Sequence, residues 1–231
     1  MERLICLVIG YIFGLFQTSF IYGKLHHVDI RDYGSGNAGT TNAMRVLGRK
    51  AGVITYLGDA FKALFAGLFV RLIFHGNEDM FLLLLYTGLG VILGHNFPFY
   101  MNFRGGKGIA ATSGALAALG DWKITLLAFL TFSGVTLISK YVSLASLCMV
   151  TGLFLEIVVF SQVGWLPGLA EQDRIEAYII ALLWMIMAYG RHYENIKRLI
   201  HGTERKVGQK RKEDQAQEVT EATAGQTSFG K

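Results

Sequence analysis

Residues 80–100 read MFLLLLYTGLGVILGHNFPFY, an apolar run that ends in Gly94-His95-Asn96 and a proline turn. A helix needs about 20 consecutive apolar residues to cross the hydrocarbon core, so the run is a transmembrane segment rather than the buried helix of a soluble core. Windows at 3–22, 51–74 and 141–162 are also long enough, and shorter ones lie at 109–120, 123–139 and 177–190. Composition agrees: over 231 residues, 52% are hydrophobic and the mean hydropathy is +0.39, too high for a domain that shows water a polar surface on all sides. The pattern predicts an all-α polytopic membrane protein of seven transmembrane helices. The number drops to five if 107–139, whose two short windows meet at Gly120-Asp121-Trp122-Lys123, is a re-entrant hairpin; the last window, 177–190, spans only with little tilt or in a thinned bilayer.

The first window reads as a retained helix. Glu2 sits beside Arg3, the apolar run is too long for a signal h-region, and no small-x-small cleavage site closes it. Cys6 and Cys148 fall inside apolar windows, where a thiol behaves as a small hydrophobe, so they imply no disulfide framework. Orientation follows from lysine and arginine, which are retained on the cytoplasmic side of short loops. With seven spans and the N-terminus outside, 17 of the 22 basic residues fall inside: Lys24, Arg31, Arg45, Arg49, Lys50, Arg104, Lys107, Lys140 and those from Arg191 onward. Arg3, Arg71, Lys123 and Arg174 fall outside, and Lys62 lies within a span. The net charge of +5 is therefore a topology signal beside an anionic leaflet and implies no nucleic-acid partner. Residues 207–231 are polar, mixed in charge and without periodicity, which predicts a disordered cytoplasmic tail behind a membrane-embedded domain at 1–206.

This topology brings three polar stretches to the inner face: GSGNAGTTNAMR at 34–45, GHNFPFYMNFRGGKG at 94–108 and RHYENIKR at 191–198. Polar backbone at membrane depth is tolerated only where protein buries it or a watery cavity receives it, so such loops usually hold a ligand. In the first stretch, Gly34, Gly36 and Gly39 let N–H groups converge, Ser35, Asn37, Thr40, Thr41 and Asn42 offer hydrogen bonds, and Arg45 supplies a fork suited to phosphate. Capping of the helix that starts near NAMRVLG accounts for one or two of these residues, not for all of them or for Arg45. In the second stretch RGGKG fails as a Walker A loop, because Met101 holds the first glycine position and Gly108 follows the lysine. A nest at Gly105 and Gly106, Lys107 and a helix N-terminus near Gly108 would still attract an anion; a positive-inside flank is the competing account. His95 opens the second stretch and His192 the third. His192 and Asn195 share a helical face with Arg198 one turn beyond, and neutral imidazole beside arginine is a candidate base.

Two further features stand apart. Asp59 and Lys62, at i and i+3 inside an apolar window, are either a functional intramembrane pair or a self-shielding packing pair. HVDIRD at 27–32 fits a His-x4-Asp acyltransferase pattern, but a chain with six histidines produces such matches by chance, and the other blocks of that family are missing.

Taken together and in order, these stretches resemble the acyl-phosphate-dependent glycerol-3-phosphate acyltransferases of bacteria, the PlsY family. KLHHVDIRDYGSGNAGTTNAMRVLG with AGVITYLGDAFKA is similar to the first family block, GHNFPFYMNFRGGKGIA to the second, KYVSL to a shorter one and RHYENIKRLIHGTERK to the last, covering about residues 8 to 206. Thr40, Ala63 and Lys140 stand where the family more often has alanine, glycine and arginine, and a lysine lacks arginine's two-pronged grip on phosphate.

The resemblance implies transfer of a fatty acyl group from acyl phosphate to the sn-1 hydroxyl of glycerol 3-phosphate, giving lysophosphatidic acid and phosphate. The site would lie on the cytoplasmic face of a bacterial membrane. Ser35, Asn37 and Lys107 would orient the donor and His192 and Asn195 the acceptor. Gly36, Gly39, Thr41, Asn42, Arg45, His95, Gly105, Gly106, Gly108 and Arg198 would line the phosphate sites. The donor is a mixed anhydride with a good leaving group, so positioning and charge stabilisation suffice, with His192 or a substrate phosphate oxygen taking the proton. No cofactor, metal or obligate protein partner is expected beyond membrane lipids, because the seven aspartates are scattered. The competing classes are a transporter or channel for phosphorylated metabolites, disfavoured by polar blocks on one face, and a magnesium-dependent headgroup transferase, which needs clustered aspartates.

Overall fold

A computed structural model describes residues 1–166 and 168–209. The described residues are helical, with no strand among them: α1 Glu2–Gly14, α2 Thr18–Leu25, α3 Thr40–Ile73, α4 Met80–Asn96, α5 Ile109–Leu119, α6 Trp122–Ser139, α7 Val142–Gln162, α8 Arg174–Arg191 and α9 Tyr193–Ile200. Of the predicted tail, residues 210–231 lie outside the described residues; Val207, at its start, donates its N–H to the carbonyl of Lys140 at 2.8 Å.

Among the described residues, five helical segments are long and apolar enough to cross a membrane: Glu2–Leu25, Thr40–Ile73, Met80–Met101, Trp122–Ser139 and Val142–Gln162. This set differs from the five expected for a hairpin at 107–139, since α6 is included and α8 is not. Nor do α5 and α6 pair mainly with each other: α5 packs on α3 and α4, α6 on α7. Eleven residues make α5 about 16 Å long, half a bilayer core. Its C-terminal end is finished by Arg71, which donates to the carbonyls of Ala118 and Leu119, and Asp121 then accepts from the N–H groups of Lys123 and Ile124 to start α6.

The tightest packing joins α1 to α4. Gly10 and Gly14 face Gly90 and Gly94, so each helix brings a Gly-x3-Gly stripe to the contact. A β-carbon on Gly10 would lie 2.1 Å from the carbonyl oxygen of Thr87, and one on Gly90 2.1 Å from that of Leu7. Without a solvent-driven hydrophobic effect inside lipid, such close backbone approach and its dispersion contacts are what join two helices. α8 joins the bundle through Trp184, whose buried ring fills the space above Gly88.

Two helices are interrupted. The single helix expected at 3–22 breaks at Leu15-Phe16-Gln17, where Gln17 is extended, and α3 is interrupted at Gly48, which holds φ +87°. The second break lets the polar 34–45 stretch enter α3 at an angle different from that of the long membrane segment. At one end of the bundle Arg3 binds Glu176 at 2.6 Å and Asp173 at 3.4 Å, drawing the starts of α1 and α8 together. The three polar stretches gather at the other end.

Candidate active site

The 94–108 stretch turns back on the end of α4. After Pro98 the chain makes a short turn through left-handed Asn102 and Phe103, and the N–H groups of Gly105 and Gly106 donate to the carbonyls of Asn96 and His95 at 3.2 and 3.0 Å. Arg191, at the end of α8, donates to the carbonyls of the same two glycines at 2.9 and 3.0 Å. The expected anion nest at Gly105 and Gly106 is therefore corrected: their donors are already engaged. These glycines serve close approach instead, because a β-carbon on Gly106 would lie 2.0 Å from Nε2 of His95 and 2.8 Å from the carbonyl of Ala38.

That last contact brings the first stretch against the second. α3 starts at Gly39 and α5 at Gly108, and neither start has a side-chain cap, so two helix N-termini open beside the same seam. Unsatisfied N–H groups and the positive end of each helix dipole favour an anion there. The capping account of the 34–45 serine, asparagines and threonines fails, since no side chain caps Gly39's helix. Asn42 does different work from that expected. It is buried, accepts from the N–H of Ser35 at 2.8 Å and donates to the carbonyls of Ile30 and Tyr33, clasping the loop instead of facing a ligand. Ser35, Gly36 and Thr41 are exposed, Asn37 and Arg45 half-buried, and Gly39 buried. HVDIRD is structural too: Asp29 grips the guanidinium of Arg31 at 2.8 Å, and that hydrogen bond, opposed by burial, holds its carboxyl down at about 2.

The third stretch completes the seam. Lys107 donates to Oδ1 of Asn195, whose Nδ2 donates to Glu204 at 2.7 Å. Glu204 also accepts from Ser143 at 2.9 Å and from Nε of Arg198 at 2.7 Å. Burial pushes the Glu204 carboxyl up, but the hydrogen bonds from Asn195, Arg198 and Ser143 outweigh it and hold the group below its usual range. Burial lowers Lys107 to about 8, helped by the charges of Arg198, Arg191 and Arg45, against the pull of Glu204. Sequence reading missed Glu204, Ser143 and Arg191. Glu204 stands in the mixed-charge run just before the expected tail, and the only signal for it is its place inside RHYENIKRLIHGTERK.

The two histidines differ. His192 is buried and its Nδ1–H donates to the carbonyl of Ala188 at 2.7 Å, leaving Nε2 as a bare acceptor; burial first, then the charge of Lys107, brings its pKa down to about 4. His95 lies one layer deeper than the exposed groups of the 34–45 loop. It is buried beneath the Gly105-Gly106 turn with Nδ1 at 2.9 Å from Lys62.

Beside the seam, an apolar cavity of about 300 Å³ runs along α5 from Ile109 to Ala117, walled by Tyr56 and Phe61 of α3 and Phe129 and Phe132 of α6. Ser113 is among the few polar groups in it.

Fold and site together define an integral membrane protein in which two uncapped helix N-termini and a group of basic side chains open beside an apolar cavity. The chain belongs to the glycerol-3-phosphate acyltransferase family, whose sequence model matches residues 4–202. It is 40% identical over 212 residues to the glycerol-3-phosphate acyltransferase of Alkaliphilus metalliredigens, covering 91% of this chain and 98% of that one. It is likewise 40% identical to the Clostridioides difficile glycerol-3-phosphate acyltransferase, over 90% of this chain and 97% of that one. Among solved structures it is similar to PlsY (YgiH), an integral membrane glycerol 3-phosphate acyltransferase, in its glycerol 3-phosphate form. There the TM-score is 0.76 at 32% identity, with 90% of this chain and 96% of that chain covered. The lysophosphatidic acid form of the same protein gives a TM-score of 0.74.

Proposed function

We propose that the protein transfers a fatty acyl group from acyl phosphate to the sn-1 hydroxyl of glycerol 3-phosphate on the cytoplasmic face of the membrane. The observation that carries this reading is adjacency. The apolar cavity begins at Ile109, one residue from the uncapped helix start at Gly108 and two from Lys107. An acyl phosphate has that shape, a hydrocarbon chain ending in a carbonyl and a dianionic phosphate. Its chain lies along α5 while Lys107 and the α5 N-terminus meet the leaving phosphate; Arg45 and the α3 N-terminus hold the second phosphate, that of the acceptor. The asymmetry of lysine and arginine supports the cytoplasmic side for this end.

The reaction is a direct attack. The acceptor oxygen bonds to the acyl carbon, the bond from that carbon to the phosphate oxygen breaks, and inorganic phosphate leaves. A group with a pKa of about 4, as His192 has, is a weak base at neutral pH, which favours a phosphate oxygen as acceptor of the attacking hydroxyl's proton and leaves Nε2 of His192 to orient the acceptor by accepting a hydrogen bond from its neighbouring sn-2 hydroxyl. Asn195 is fixed between Lys107 and Glu204, so it spaces the lysine from Arg198. The deciding experiment gives the purified protein glycerol 3-phosphate with synthetic acyl phosphate or with acyl-CoA. Lysophosphatidic acid formed from the first donor alone supports the reading; transfer from acyl-CoA alone refutes it.

A further inference from the structure

The pair Asp59 and Lys62 is not consumed by the chemistry above, and the break between α1 and α2 is built around it. Lys62 donates to the carbonyls of Gly14, at 3.1 Å, and Phe16, which the break has released from helical pairing. An unsatisfied carbonyl costs several kcal/mol in hydrocarbon, so the lysine makes the break tolerable. Asp59 lies 3.2 Å from the ammonium and accepts from Thr18 at 3.1 Å. The fourth partner of Lys62 is Nδ1 of His95 at 2.9 Å. A self-shielding ion pair needs neither the broken helix nor the histidine.

The partners assign the tautomer. Asp59 is the counter-ion at 3.2 Å that keeps Lys62 an ammonium, and the three N–H groups of that ammonium go to the carbonyls of Gly14 and Phe16, which only accept, and to Nδ1 of His95. Nδ1 of His95 is then the bare nitrogen, and the ring carries its proton on Nε2. Nε2 lies against Gly106 at the seam where Ala38 of the first polar loop meets the second. The rest of His95 is equally tied down: its carbonyl accepts from Gly106 N–H and from Gln17 Nε2, both at 3.0 Å. His192 has the opposite arrangement, with the proton on Nδ1 and Nε2 bare.

We propose that Lys62 is a positioning residue for the transfer reaction: acting through Nδ1, it locks His95 as the Nε2–H tautomer and holds that donor at the seam between the 34–45 and 104–108 loops, under the bound phosphate. This rests on the functional reading above. The site then has one histidine that donates and one that accepts, each fixed by a neighbour and not by pH.

The test combines magnetic resonance of isotope-labelled histidine ring nitrogens with kinetics, on the full chain in lipid nanodiscs. The His95 signal is assigned by its loss in His95→Gln. Wild-type His95 is expected to be neutral and protonated at Nε2. In Lys62→Met, which keeps the stem and loses the donor, His95 should move toward the other tautomer. Its kcat should fall on the order of 10²-fold per folded protein, as a small misplacement of a reacting group does, while KM for glycerol 3-phosphate changes less than about threefold. Wild-type His95 protonated at Nδ1, or on both nitrogens, overturns the proposal without any variant, which decides the matter should Lys62→Met fail to fold. A folded Lys62→Met with wild-type kcat overturns it as well. Wild-type protein that makes no lysophosphatidic acid from acyl phosphate refutes the functional reading instead, and the tautomer is read independently of that result.

Discussion

Lys107 and Asn195 lie 88 residues apart in sequence and meet side chain to side chain, with Glu204 holding the far end of the asparagine's amide. This pairing joins the start of α5 to α9 and sets the spacing of the cations that face the seam.

Glu204→Gln should therefore be severe. It removes the charge opposite Arg198 and leaves Asn195 to rotate, so kcat/KM should fall on the order of 10²-fold. Glu194→Gln is the control, because Glu194 is exposed and only pairs with Lys197 at 3.7 Å; its kinetics should match the wild type. Steady-state rates of both variants decide the comparison.

A pH profile reads Lys107 directly. Burial brings this lysine to about 8, so it is charged below that pH and loses its proton as the pH rises through it. The value of kcat/KM should be level near neutrality and fall above about pH 8. Lys107→Arg should move that fall beyond the assay range.

His192 leaves a stability signature of the opposite direction. Its folded-state pKa is depressed from 6.5 to about 4, so the unfolded chain takes up a proton that the folded chain refuses. Its effect on stability is absent above about pH 6.5, grows as the pH falls from there, and levels off below about 4. Thermal unfolding of wild type and His192→Gln across this range should differ in slope.

Arg45 and Arg49 separate phosphate binding from topology. Arg45→Ala should raise KM for glycerol 3-phosphate at least tenfold, on the order expected for a lost charged hydrogen bond, while Arg49→Ala at an exposed position should leave it unchanged. Equal small effects would count against the assignment.

The cavity predicts chain-length selectivity. Ala117 is exposed in the fold yet lines the far end of the slot, so Ala117→Phe should leave folding intact and shorten the slot. Transfer from a palmitoyl donor should drop about tenfold relative to an octanoyl donor. A parallel loss with both donors would place the chain elsewhere.

Hydropathy and local residue chemistry made the class of this protein and the three polar blocks legible in the sequence. An apolar run of membrane length, a glycine-rich loop beside arginine or lysine, and the side on which basic residues accumulate are all properties of contiguous residues. Local patterns also announced the charged pair at Asp59 and Lys62, but not what it serves. What each donor does was decided by tertiary structure, because a hydrogen-bonding group is committed by its nearest partner and that partner is distant in the chain. Gly105 and Gly106 looked like an anion nest until His95, Asn96 and Arg191 took their donors and acceptors. Asn42 looked like a ligand until the loop it closes took its amide. The break at residues 15–17 is invisible in an apolar run, since it is stable only once Lys62 and Gln17 satisfy the carbonyls it exposes. Glu204 reads as the edge of a polar tail until folding places it among Asn195, Arg198 and Ser143. Sequence determined where polar groups would be tolerated in a membrane; three-dimensional neighbours determined which remain available to a substrate, because in low dielectric each buried donor must find an acceptor before it can serve anything else.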